Sequence, residues 1–196
     1  MTPLTLLLAA ALAVSAPPPP RPAPPVAVCG DPALVGIPLP PVADGPCGIP
    51  APVSLASVSG VALEPPATMD CATAHALAAW LRVGPDASFT ALGRGLRALT
   101  VVDAYSCRNR NRAAEGKLSE HAFGRAIDVS GFRLDDGTLV AVKGGWDAGF
   151  WAPVLRRIHD AGCGPFATVL GPDANALHAD HLHLDVESRR SGPYCQ

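Results

Sequence analysis

Five of the six histidines lie after residue 120, and three crowd into His178–Ala179–Asp180–His181–Leu182–His183. His181 to Val186 alternates polar and apolar residues, the pattern of a half-buried strand. In such a strand His181 and His183 point to the same face, so two imidazoles can reach one pocket. Upstream, the stretch SEHAFGRAID sets His121 seven positions before Asp128, with Gly124 free to turn between them. A loop histidine, a strand aspartate and a histidine on another strand make a three-ligand metal site. Zn²⁺ accepts His N and Asp O at about 2.0–2.2 Å, and three protein ligands leave the fourth position for water. Such water has its pKa lowered toward about 7, which makes hydroxide available at neutral pH. A single strand histidine is more often structural or on the surface; here two separate clusters each combine His with Asp. Other hydrolase signatures are missing. There is no His-Glu-x-x-His, and Ser130 has Asp128 where a Gly-x-Ser-x-Gly elbow needs glycine.

Positioning these residues requires regular elements around them. Asp70 to Leu81 consists of helix formers with apolar residues at Cys71, Ala74, Leu77, Ala78 and Leu81, and Thr68 or Asp70 can cap it. A shorter helix is predicted after Pro85. Leu96 to Ser106 is rich in β-branched and aromatic residues and reads as a strand, followed by a polar loop over Arg108 to Gly116. Ala126 to Phe132 and Thr138 to Val142 read as strands, Trp146 to Ala161 as an amphipathic helix ending at Gly162, and Thr168 to Leu170 as a short strand. No regular βαβ alternation is present. The expected class is α+β, a small antiparallel sheet with flanking helices. Trp80, Trp146 and Trp151 fall at helical apolar positions and are expected in the core. Arg110 and Arg112 are expected in a solvated loop.

Composition divides the chain. Of 22 prolines among 196 residues, 17 fall at or before Pro66. Proline removes a backbone donor and suits neither sheet ladders nor helix interiors, so the core is expected from about residue 67 onward. The N-terminal run LTLLLAAALAV followed by Ser15-Ala16 reads as a signal peptide over residues 1–16, with cleavage after Ala16 or Ala13. Residues 17–28 read as a proline-rich linker, 29–66 as an irregular arm pinned by disulfides, and 67–196 as the folded domain.

Cysteines 29, 47, 71, 107, 163 and 195 form no CxxC pair and suit a disulfide set in an oxidising compartment. Nearest-neighbour pairing predicts Cys29–Cys47, Cys71–Cys107 and Cys163–Cys195. A formal net charge of −2 offers no general field for nucleic acid. After signal cleavage no segment approaches the length of a membrane span, and a monomer is expected.

SEHAFGRAID resembles the Ser-x-His-x-x-Gly-x-Ala-x-Asp signature of the LAS metallopeptidases, a group that includes lysostaphin-type enzymes, D-alanyl-D-alanine peptidases and the hedgehog zinc fold. HADHLHLD resembles their His-x-His motif. More narrowly, the chain resembles the bacterial extensin-like proteins over roughly Cys29 to Cys195. The pieces that match are Cys47–Val53, the helix with Cys71 and Trp80, the end of the next strand at Tyr105-Ser106-Cys107-Arg108, and the VLGP turn at Val169–Pro172.

The resemblance implies an exported zinc peptidase of the bacterial periplasm or cell envelope, acting on amide bonds of peptidoglycan stem peptides. It implies His121, Asp128 and His183 as ligands of Zn²⁺, Asp180 as general base and His181 as a stabiliser of the oxyanion. Arg108 would hold a substrate carboxylate or the tetrahedral intermediate, and Ser119 would hydrogen-bond substrate. Glu120, next to His121, competes for the role of base, and His178 is read as structural in preference to a ligand. Hedgehog-type relatives keep a second reading open, a non-catalytic wall-binding or structural protein on the same fold.

Overall fold

A computed structural model describes residues 23–196. The signal peptide expected at 1–16, and the linker as far as residue 22, lie outside the described residues. From residue 26 the chain forms strands: β1 Val26–Val28, β2 Asp31–Pro38, β3 Val42–Asp44, β4 Cys47–Ile49, β5 Val53–Val58 and β6 Val61–Met69. Helix α1, Cys71–Leu81, runs through a wide turn containing Pro85 into the short α2, Ala87–Thr90. Next come β7 Leu96–Asp103, β8 Ala126–Leu134, β9 Leu139–Ala141 and a kinked turn, α3, Val142–Gly145. Helix α4 Ala152–Asp160, β10 Thr168–Leu170, β11 Leu182–Asp185 and β12 Tyr194–Cys195 complete the fold.

The sheet is large, which corrects the expected small one. Ten strands join in the order β1-β2-β5-β6-β7-β8-β11-β10-β12, with β9 on β8; β3 and β4 form a separate hairpin. Pairing is antiparallel except for β6 with β7 and β10 with β12. Residues 29–66 are therefore strands rather than an irregular arm. Val28, Leu34, Leu55, Val58 and Leu63 join the core cluster that was expected only after residue 67.

The prolines are accommodated where the ladder does not need their missing donor. Ser57 pairs with Ala62 and Leu55 with Ala67, so Pro65 and Pro66 sit in the bulge between these two pairs. Pro38 closes β2 at its last pair, with Val53.

Helices α1, α2 and α4 cover one face of the sheet. Trp80 packs against Phe132 and Phe166 at centroid distances of 6.2 and 6.3 Å, and its indole N–H donates to the Ile158 carbonyl at 2.9 Å. Ile127 and Val129 of β8 and Leu182 and Leu184 of β11 enter this core. By strand alternation, Asp128, His183 and Asp185 then occupy the opposite face. Helix α1 starts one residue later than Asp70 because Asp70 is its cap, accepting from the Thr73 N–H at 2.8 Å. The helix expected over 146–161 is confined to Ala152–Asp160, with Pro153 in its first turn.

Two of the three expected disulfides are corrected. The bridges are Cys29–Cys71, Cys47–Cys107 and Cys163–Cys195, with Cα separations of 5.4, 5.6 and 6.0 Å. Cys29 follows β1 and meets the first residue of α1. Cys47 on the β3–β4 hairpin meets the loop that follows β7. Topology, not distance along the chain, brings these partners together. Each bridge closes a loop of 32 to 60 residues, which stabilises by about 4 kcal/mol in the chain-entropy model. Non-reducing peptide mapping is expected to recover Cys47 joined to Cys107 and not to Cys29. The double variant Cys47→Ser/Cys107→Ser is expected to lose about 2–5 kcal/mol in urea denaturation.

Candidate metal centre

The sheet register builds the centre. His183 of β11 lies directly opposite Asp128 of β8, and β8 is flanked by β7 and β11. His121 arrives from outside the sheet, on a one-turn 3₁₀ segment, Glu120–Phe123. That segment begins at Ser119, whose hydroxyl accepts from the His121 N–H at 3.4 Å, and ends at Gly124 with φ 65°. A Cβ at Gly124 would meet Ile49 Cδ1 at 2.3 Å. The glycine is thus required both by its backbone conformation and by the β3–β4 hairpin packed beneath the turn. The Gly124 carbonyl accepts from the Asp70 N–H at 2.9 Å, tying the turn to the start of α1.

His121 Nε2 lies 3.2 Å from Asp128 Oδ1 and 3.2 Å from His183 Nδ1; His183 Nδ1 lies 2.8 Å from Asp128 Oδ1. Donors bound tetrahedrally at about 2.0–2.1 Å stand about 3.3 Å apart, so the three atoms fit one small divalent ion. The remaining imidazole nitrogens are also fixed. His121 Nδ1 donates to the Ala104 carbonyl at 2.5 Å, and His183 Nε2 donates to Asp185 Oδ2 at 3.1 Å. Each ring therefore has its outer nitrogen committed as a donor and its inner nitrogen directed at Asp128, the orientation of metal-binding histidines.

Electrostatics agree with a cation-seeking site. Burial alone would raise the Asp128 pKa, but hydrogen bonds from His121 and His183 outweigh it and hold the carboxyl well below its ordinary range. Burial opposes charge on His183, yet Asp128 and Asp185 push it up to about 9.

The centre opens into a cavity of about 380 Å³ whose lining includes Arg108, Ser119, Glu120, Asp128, His181 and His183. His181 sits in the turn just before β11. Its Nε2 lies 3.6 Å from Asp128 Oδ2, and its Nδ1 donates to Asp180 Oδ1 at 2.8 Å. The Asp180 side chain is 59% exposed and that of His181 14%. Asp180 thus meets the centre through His181; its hydrogen bond to that ring lowers its pKa. Arg108 gives Nε and Nη2 to Asp103 Oδ2, at 3.2 and 2.9 Å, and its Nη2 stands 3.9 Å from Asp128.

Glu120 is buried, and burial followed by the charges of Glu187 and Asp185 raises its pKa. Arg110 is not simply solvated: it pairs with Glu187 at 2.8 Å and with Glu120 at 3.4 Å, whereas Arg112 is exposed. His178 packs on the rings of His181 and His183, with centroids 5.3 and 5.8 Å away, and hydrogen-bonds Asn175. Burial and these neighbours lower its pKa to about 4. It lies outside the converging triad.

A model of the family described as extensin-like protein C-terminus matches residues 32–196. The chain belongs to this extensin-like family. Its match begins inside β2, so the extensin-like domain includes most of the strands formed by the proline-rich segment. No curated protein and no solved structure matches the chain. Among the described residues, no helix is long and apolar enough to cross a membrane, and the three disulfides fit an oxidising compartment.

Sequence reasoning missed Asp185 and the Ala104 carbonyl as supports of the extensin-like site. Asp185 was visible as the third same-face position of His181-Leu182-His183-Leu184-Asp185; a backbone acceptor leaves no sequence signal. With zinc as the probe ion, Asp185→Ala is expected to weaken metal binding about 10- to 100-fold in a chelator competition. A metal at His183 Nδ1 displaces the proton there, so affinity rises with pH until this ring is neutral. The rise is expected to continue to about pH 9 instead of levelling near about 6.5, the ordinary imidazole value.

Proposed function

We propose that this extensin-like domain is an exported zinc peptidase of the bacterial periplasm or cell envelope that hydrolyses amide bonds in peptidoglycan stem peptides. The observation that carries this reading is the convergence of His121 Nε2, Asp128 Oδ1 and His183 Nδ1 beside an open cavity. The likeness of SEHAFGRAID and HADHLHLD to the LAS motifs supports it and suggests zinc as the ion. Zinc held there would supply a Lewis acid that polarises a carbonyl and brings the pKa of water toward about 7.

The chain's own groups divide the remaining work. His121, Asp128 and His183 hold the ion. His181 faces the same space; its Nε2 would accept the proton released by the attacking water and return it to the leaving amine nitrogen as the C–N bond breaks, while Asp180 accepts its Nδ1–H and fixes the ring. Asp180, expected as the base itself, thereby becomes a positioning residue. Arg108, half-neutralised by Asp103, adds positive charge beside Asp128 where negative charge develops on the carbonyl oxygen. Ser119 is spent on shaping the His121 turn.

A second reading, a non-catalytic wall-binding or structural protein on the same fold, zinc-bound or not, is favoured by one feature: Asp180 bonds the ring of His181 and not the triad. Metal analysis with digestion of isolated peptidoglycan separates the two. Zinc at one equivalent and new amine termini are expected, with both lost in His183→Ala. His181→Ala is expected to keep zinc and to lower the rate about 10²- to 10⁴-fold, with a smaller loss in Asp180→Ala. Bound zinc without any change in the muropeptides supports the second reading, and no bound zinc overturns the peptidase reading.

A further inference from the structure

Asp128 and His181 line two cavities, not one. The first holds about 380 Å³ and extends toward Leu177 and Tyr194; the second holds about 410 Å³ and extends toward Val102 and Leu139. Each alone has the size of a small-ligand site, about 300–1,000 Å³. They share walls formed by Arg112, Asp128 and His181, so open space lies on two sides of the Asp128 and His181 side chains, as two arms of a trough beside the metal centre. Each arm also carries apolar side chains held out to solvent. Leu177, Tyr194, Val102 and Leu139 are four of the eight large exposed apolar residues among those described.

Four of the five cations along the trough are already engaged. Arg108 and Arg112 pair with Asp103, Arg110 with Glu120 and Glu187, and Arg189 with Glu187. Recognition of a chain end would call for a positive group free to take a terminal carboxylate. Lys143, on the rim of the second arm, is the group placed to do so.

We propose that the trough takes an internal stretch of peptide chain, with residues bound on both sides of the metal centre, and not a chain terminus. This deepens the peptidase reading and rests on it for the position of the reacting bond. Side chains on one side of that bond pack against Leu177 and Tyr194; those on the other side pack against Val102 and Leu139.

The test uses zinc-loaded full-length protein and two peptidoglycan fragments with the same stem: a cross-linked dimer, whose cross-link amide is internal, and the uncross-linked monomer with a free carboxyl terminus. Calorimetry reads binding and mass spectrometry reads products. The dimer is expected to bind roughly tenfold tighter or better, to be cut at the internal amide, and to keep its terminal residue. Leu139→Lys is expected to bring the dimer's Kd toward that of the monomer. Equal affinity for both fragments, binding of neither, or release of the terminal residue in a reaction lost in Lys143→Ala would overturn the proposal. If neither fragment is hydrolysed, the peptidase reading fails, while the ratio of the two affinities still decides whether the trough takes an internal stretch.

Discussion

Asp128 places a carboxylate inside the fold, on the middle strand of three, and the structure around it is arranged to hold that charge. Two imidazoles meet one of its oxygens, while Arg108 and His181 stand at the other. A buried carboxylate without such partners would cost several kcal/mol. Its neighbours must therefore arrive together. β11 delivers His183 through its register with β8, the Ser119–Gly124 turn delivers His121, and the loop after β7 delivers Arg108. That loop is bolted to the β3–β4 hairpin by Cys47–Cys107, and the same hairpin supports Gly124 through Ile49. The proline-rich region, which looked like an appendage, is thus part of what holds the site in place.

The legible parts of the fold were those with a local cause. Helix α1 follows from the spacing of its apolar residues and the Asp70 cap; β8 and β11 follow from alternation. The His121, Asp128 and His183 convergence was readable because two motifs, each weak alone, share one donor chemistry. Strands β1 to β6 were hidden because proline content is a poor guide when the prolines lie at a bulge, near strand ends or between strands. The sheet's size was hidden for the same reason. The bridges Cys29–Cys71 and Cys47–Cys107 depend on which strands lie between them, and that information exists only in the assembled topology. The placement of Asp180 was hidden because sequence gives its distance along the chain from His183 but not its hydrogen bond to the ring of His181, which faces Asp128.

These features join into one functional account. A triad able to hold a metal, a histidine held by its own aspartate, and cavities on two sides of Asp128 and His181 are what support the proposed hydrolase reading.

The most direct test of the account is X-ray absorption at the zinc edge on the full-length chain loaded with zinc. The account predicts about one zinc per chain with only nitrogen and oxygen neighbours at about 2.0–2.2 Å and two imidazoles among them. It also predicts that His121→Ala and His183→Ala each remove an imidazole from that shell. A sulfur neighbour, or a shell unchanged in both variants, would contradict it.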